Sequence, residues 1–367
     1  MKFNLVLSLL LPIAFCFPQE EVSKKSTLDA NHFYGSIVLH NPDISHLITK
    51  HPAGVVIGYH RKTYGHKEWE RRYNYPDLGY SYVYHETNNA TLGKNFGLYA
   101  HYNFYFFKRN LQFRVGQGIA YNTNPYDKEE NFRNNAYGSH LLSSTYLMLN
   151  YHRERVFKEL GFKIGLSVFH YSNANFKAPN TSTNTLALNV GLIYDLNPKR
   201  TIDYVIDENE EVQEYKDPLQ FNLVFRSGVN ESDVIDLGQY PFYIFSAYAD
   251  KRLGRFSALQ IGTDVFFSNF LKELIRFQAT SFPELDVSAD DDFKRVGLFI
   301  GHELFINKMS AIAQLGYYIY YPFDFEGRVY NRIGLKRYFG NKWFGAVTLK
   351  SHGAKAEAVE FGIGIRL

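Results

Sequence analysis

The chain of 367 residues carries a formal net charge of +3 and a mean hydropathy of -0.30, and 17% of it is aromatic, with 29 Tyr and 32 Phe against two Trp and three Met. No run of about eighteen apolar residues follows the N-terminal segment, which excludes a helical membrane protein. Hydrophobic residues, 45% of the total and spread along the whole length, exclude a disordered chain, and the small, dispersed charge excludes nucleic acid as a partner.

A chain that is polar on average yet rich in Tyr and Phe suits a lipid-facing barrel with a wet interior. The first segment reads as a secretory signal peptide over residues 1–16. Lys2 precedes a short apolar run from Leu5 to Phe15, and Ala14 and Cys16 are the small residues before a cleavage point. The other reading of Cys16 is a lipoprotein acylation site, which the bulky Phe15 before it disfavours. With cleavage after Cys16, the mature chain 17–367 holds no cysteine, which excludes thiol and zinc–cysteine chemistry.

From there, apolar and polar or small residues alternate with period two in segment after segment. Strands are predicted near 33–39, 53–62, 77–86, 93–107, 111–121, 139–153, 156–171 and 184–196. A second series follows near 218–230, 240–252, 256–269, 294–305, 308–322, 327–339, 342–350 and 356–367. The last is the clearest: Val359, Phe361, Ile363, Ile365 and Leu367 share one face, and Glu360, Gly362, Gly364 and Arg366 the other. Short turns such as Lys108–Asn110 alternate with longer polar connections at 122–138, 172–183, 270–293 and 321–326. The segments 63–76 and 197–217 are long where this register wants short turns.

The pattern predicts an all-β fold, a transmembrane antiparallel up-and-down β-barrel of about 14–16 strands. A single barrel over 17–367 is the simpler reading, and eight plus eight strands in two barrels is the other.

The stretch with a specific chemical look is Phe169-His170-Tyr171-Ser172-Asn173-Ala174-Asn175. On a strand, His170 and Ser172 project from the same face, roughly 6–7 Å apart at Cα, so an imidazole reaches a hydroxyl. Ser is a poor nucleophile until a neutral His takes its proton. Ile164, Leu166 and Val168 lie on that same face, which is assigned to lipid. Taken alone, His-x-Ser is a weak motif, and a polar interfacial pair at a strand end is the plainer reading.

His170-Tyr171-Ser172-Asn173-Ala174, followed by Lys177, Pro179 and Asn180, resembles the active-site strand and loop of PagL-type lipid A deacylases. Gly116-Gln117-Gly118-Ile119-Ala120 and Gly138-Ser139-His140-Leu141 extend the resemblance upstream, so that it covers 17–196. It implies an outer-membrane serine esterase that removes an ester-linked acyl chain from lipid A, with Ser172 as nucleophile and His170 as general base. Asn173 and Asn180, with nearby backbone N–H groups, become oxyanion candidates. Ile164, Leu166 and Val168 would carry the acyl chain.

Where the best-known members place a Glu to orient the His, this chain has Asn184, in the apolar register of Leu186 and Leu188. An amide oxygen can fix the imidazole tautomer but cannot stabilise the imidazolium as a carboxylate does. Residues 197–367 have no counterpart in the small members and are additional barrel strands; the longer acyloxyacyl hydrolases are a closer likeness. The implied partner is lipid A of lipopolysaccharide in the outer leaflet of a bacterial outer membrane, and a homodimer is compatible with the reading. Neither a metal nor an organic cofactor is expected. The rival reading is a porin or passive transporter with a degenerate hydrolase site.

Two other features read as ordinary surface. His302-Glu303 and His352 lack a second ligand pair at metal spacing. Asp290-Asp291-Asp292 reads as a solvated charge run, with a bridging cation as the sharper alternative.

Overall fold

A computed structural model describes residues 25–199, 203–206, 218–306, 308–340 and 342–367. The signal-peptide segment with Cys16, and most of the acidic stretch 200–217, lie outside the described residues.

Among the described residues, sixteen strands form in two groups. The first is β1 (Ser26–Ile37), β2 (Ala53–Arg61), β3 (Asp77–Glu86), β4 (Lys94–Phe106), β5 (Leu111–Asn122), β6 (Leu141–Phe157), β7 (Leu160–Ser172) and β8 (Thr183–Asp195). The second is β9 (Gln220–Glu231), β10 (Gln239–Gly254), β11 (Ser257–Ser268), β12 (Lys294–Ile306), β13 (Met309–Tyr320), β14 (Val329–Phe339), β15 (Trp343–His352) and β16 (Lys355–Arg366).

The expected strands are all present, but they do not close as one ring. β8 pairs with β1, from Thr27 opposite Asp195 to Ile37 opposite Thr185, and β16 pairs with β9, so two antiparallel barrels of eight form. The single barrel over 17–367 therefore gives way to the eight-plus-eight arrangement. Alternation assigns side chains to faces but says nothing about which strand closes the ring.

Along each strand, one face is buried and the other exposed. In β8, Thr183, Thr185, Ala187 and Asn189 point in, while Leu186, Leu188, Val190 and Leu192 point out at 47–68% exposure. The inward residues do not line a wet lumen, because a ring of eight is just wide enough for its own side chains. In the first barrel, Asp29 faces Arg114, Lys163 and His60. Arg114 also donates to Asn103 at 2.7 Å, and Lys163 to Gln112 at 2.8 Å. Phe33 and Phe169 pack nearby in the same interior, with ring centroids 4.3 Å apart. The second interior is built alike. Arg332 bridges Glu360 at 2.6 Å and Asp264 at 2.9 Å, and Glu357 gathers Arg295, Lys350 and His352. Buried charges survive there because each is paired and hydrogen-bonded.

The two long segments that broke the turn alternation meet at the short-turn end of the first barrel. Residues 62–76 fold over with α1 (Glu68–Arg72), and Val205 N–H donates to the Tyr64 carbonyl at 2.9 Å. The Tyr75 and Tyr204 rings lie 4.5 Å apart.

At the opposite end, the connection 270–293 is not the plain loop expected. It carries α2 (Asn269–Ser281), whose Phe270, Leu271, Leu274 and Ile275 pack on Phe323 and Phe325. Those four positions follow helical spacing, which a search for period-two segments passes over.

The barrels touch at both ends. At the short-turn end, Arg255 pairs with Glu68 at 2.6 Å, and Arg72 lies over the Phe256 ring at 5.1 Å. At the long-loop end, the loop after β7 meets the loop after β9.

Candidate active site

β7 runs up to the long-loop end. Leu160, Phe162, Ile164, Leu166, Val168 and His170 project outward, and Phe169 and Tyr171 are sealed inside. Tyr171 stacks edge-on with His85 at 5.2 Å. Locking Phe169 and Tyr171 inward fixes His170 outward, since neighbours on a strand face opposite ways.

Cross-strand register places His170 opposite Asn184 on β8 and opposite Thr145 on β6, and Ser172 opposite Ser143. His170 Nδ1 and Asn184 Oδ1 lie 2.7 Å apart. An amide oxygen only accepts, so this contact puts the proton on Nδ1 and leaves Nε2 with a free lone pair.

Ser172 is the last residue of β7 and is only 5% exposed, because the following loop folds over it. Its hydroxyl donates to Asn180 Oδ1 at 3.1 Å and accepts from the Ala174 N–H at 2.9 Å. Asn180 Oδ1 also accepts the Asn173 N–H at 2.9 Å. Among the described residues, no hydrogen bond joins Ser172 to His170, so the two predicted partners share a face and a strand end without being bonded.

The two Asn side chains hold the loop. Asn173 Nδ2 donates to the Lys177 carbonyl at 2.6 Å, and Asn180 Nδ2 to Asn175 Oδ1 at 3.2 Å. Ala174 and Asn175 both adopt left-handed backbone, φ 54° and 59°, a conformation that costs a non-glycine residue roughly 1–2 kcal/mol. These bonds hold that turn in place.

The loop after β5 walls the other side. Thr181 and Ser182 N–H groups donate to the Asn135 and Ala136 carbonyls at 3.1 and 3.2 Å. Gly138 sits so close that a Cβ there would come 2.4 Å from the carbonyl oxygens of both Lys177 and Ala178. Only glycine fits.

Below the pair, Ile164 is 53% and Leu166 48% exposed, with Val168 half-buried. Leu166 lies between Leu149 of β6 and Leu188 of β8, and Ile164 between Tyr151 and Val190. The proposed acyl face is thus the middle of a three-strand apolar strip leading to His170.

The Asp290–Asp292 run is engaged locally: Asp292 accepts the Lys294 backbone N–H at 3.0 Å and the Tyr320 hydroxyl at 2.9 Å. His302 faces outward to Ser257 at 2.6 Å, while Glu303 points inward to Lys336 at 2.8 Å. Among the described residues, no cluster of His, Cys, Asp and Glu has the arrangement of a metal site.

Sequence reasoning missed Glu231, Asp233 and Gln239, which reach the site's loop from the second barrel. Glu231 Oε2 accepts the Ala178 N–H at 3.0 Å, and Gln239 Nε2 donates to the Phe176 carbonyl at 2.5 Å. Asn175 Nδ2 lies 3.5 Å from Asp233 Oδ1. A Glu at a strand end, remote in sequence, carries no signal that it touches this loop.

Comparison with known proteins divides the chain at the same place as the fold. Residues 53–192 match the family model of lipid A 3-O-deacylase (PagL), and residues 219–367 match that of the acyloxyacyl hydrolase C-terminal domain. No curated protein matches the chain.

Among solved structures, one multiple mutant of the Rh. blastica porin aligns at 8% identity over 94% of this chain and 100% of its own, with a TM-score of 0.18. A second multiple mutant of that porin aligns at 9% identity over 93% and 100%, with a TM-score of 0.19. Scores that low describe no shared arrangement. Barrel by barrel, the first ring belongs to the lipid A 3-O-deacylase (PagL) family and the second to the acyloxyacyl hydrolase C-terminal domain family.

Proposed function

We propose that this protein is an outer-membrane serine esterase that removes an ester-linked acyl chain from lipid A. The observation that carries the reading is the placement of His170, bonded to Asn184, and Ser172 at the top of an outward apolar strip, in the barrel that matches the lipid A 3-O-deacylase family.

The acyl chain lies along Ile164, Leu166 and Val168, which brings its ester carbonyl to the end of β7. The Ser172 hydroxyl turns from Asn180 Oδ1 to His170 Nε2, gives up its proton there and attacks the carbonyl carbon. Backbone N–H groups of the Asn173–Asn175 turn, with Asn180, are the donors for the oxyanion. Collapse expels the sugar hydroxylate, which takes the proton from His170. Water, activated by the same imidazole, then releases the fatty acid.

Asn184 holds the His170 ring and its tautomer. Asn184→Ala is expected to lower kcat about tenfold or more and to leave KM little changed, as read in steady-state assays on purified protein. Unchanged turnover would remove Asn184 from the site.

The outward strip supports the membrane location. Leu188 is 68% exposed amid Leu186, Val190 and Leu192, a patch that water would penalise and hydrocarbon accepts. Leu188→Arg is expected to cost about 2–4 kcal/mol for unfolding from lipid vesicles. A cost near zero there would place this face in water.

The rival porin reading finds no support in the lumens. Aqueous channels belong to rings of about 16–18 strands, whereas these rings of eight are filled by side chains such as Arg114 and Arg332, both 0% exposed. The deciding experiment is mass spectrometry of lipid A from cells producing the wild-type chain. Loss of one ester-linked acyl chain is expected; intact lipid A would overturn the reading.

A further inference from the structure

The second barrel has no part in the chemistry described so far, yet it grips the loop that carries it. Glu231 ends β9 and is 5% exposed. Its N–H donates to the Asn175 carbonyl at 2.9 Å, and its carboxylate accepts the Ala178 N–H at 3.0 Å and the Gly238 N–H at 3.3 Å. Gln239, directly opposite Glu231 in the β9–β10 ladder, takes the Phe176 carbonyl between them. Loop positions 175, 176 and 178 are thus tied to one strand end of the other barrel.

Burying a carboxylate is costly unless its oxygens are hydrogen-bonded, and the two amides supply those bonds. Two residues beyond Ala178, Asn180 holds the Ser172 hydroxyl and the Asn173 N–H. Only backbone and one side chain separate the grip from the nucleophile.

We infer that the second barrel positions the nucleophile loop of the first, with Glu231 as the positioning residue; the catalytic part of this inference rests on the deacylase reading of Ser172. The grip itself is a physical contact that can be measured without any turnover.

Hydrogen exchange on the full chain reads the grip. In Glu231→Ala, peptides over 173–180 are expected to exchange about tenfold faster, while β7 stays protected. In Glu231→Gln, whose amide oxygen still accepts the Ala178 N–H, protection should return to near the wild-type level. Gln239→Ala, at an exposed position, supplies a second variant if Glu231→Ala fails to fold, with about two- to threefold faster exchange expected.

Kinetics with purified lipid A read the consequence. Glu231→Ala should lower kcat about tenfold or more with KM within about twofold, since misplaced catalytic groups cost turnover rather than binding. Glu231→Gln should recover to within about threefold. Unchanged exchange over 173–180 would overturn the grip. Faster exchange with wild-type kcat, while Ser172→Ala is inactive, would overturn the positioning role and leave the deacylase standing. An inactive wild type would overturn the deacylase reading and the positioning role together, and exchange would still decide the grip.

Discussion

Ser172→Ala is expected to lower deacylation by about three orders of magnitude or more. Cells producing it should therefore keep the lipid A acyl chain that the wild type removes. The substitution takes away the attacking oxygen and little else. Ala keeps the Cβ, and the strand above Ile164 and Leu166 is held by ladders to β6 and β8 on both sides. What the loop loses is two hydrogen bonds, to Asn180 and from Ala174, each worth about 1 kcal/mol net.

His170→Ala should fall to a similar level, and the double variant no further, because groups that act as one unit are not additive. The measurement is the mass of the lipid A species, backed by single-turnover rates on purified protein. Turnover retained in Ser172→Ala would move the nucleophile elsewhere in the chain.

Asp29→Ala is expected to destabilise the first barrel by about 3–5 kcal/mol, a large share of the roughly 5–15 kcal/mol that holds a typical domain together. Asp29 is the shared anion of Arg114, Lys163 and His60, so its loss strands cations in an interior that water does not reach. The exposed pair Lys128–Asp236, at 76% and 65% exposure, is the contrast, and breaking it should change little.

The two Trp residues allow each ring to be followed separately. Trp69 sits in α1 of the first and Trp343 opens β15 of the second. In urea titrations, the Trp69 signal of Asp29→Ala, followed in a Trp343→Phe background, should move to lower denaturant. The Trp343 signal, followed with Trp69→Phe, should hold its midpoint. An unmoved Trp69 midpoint would mean that the Asp29 cluster contributes little to stability.

Much of this molecule is legible in the sequence. Period-two alternation finds every strand, though it starts β1 at residue 33 where the structure starts it at Ser26 and so misses Asp29, and it places His170, Asn184 and Leu166 on the outward face. The partner across from His170 comes from the family resemblance, which points to Asn184, and the hydrogen bond is found there. What alternation cannot supply is anything depending on distance along the chain. Ring closure is decided by whether β8 meets β1 or β9, and both choices leave the inside and outside of each strand unchanged.

The expectation of a wet lumen fails for the same reason, since the width of a lumen follows from the number of strands in the ring. Alternation assigns polar residues such as Arg114 and Asp264 to the interior correctly, but it cannot name their partners. The site is half legible. The strand part, His170 and Asn184, is reached by alternation together with the family resemblance, which also names Asn180, while the contacts that Asn180, Gly138 and Glu231 make are brought about only by folding.

Ring closure also has a consequence for biogenesis. Each ring completes itself within its own half of the chain, β1 with β8 and β9 with β16. Halving the span to be closed saves only about 0.6 kcal/mol of loop entropy, so the gain in stability is negligible. The gain is in order of assembly. Shorter-range pairing closes faster, and the first ring, with β7 and β8 already in place, can finish before β9 has a partner. On this order, the loop that follows β7 is formed with the first ring and comes under the grip of Glu231 only when the second ring closes. If the proposed function holds, a half-assembled molecule would meet its substrate lipids with the Ser172 loop not yet aimed.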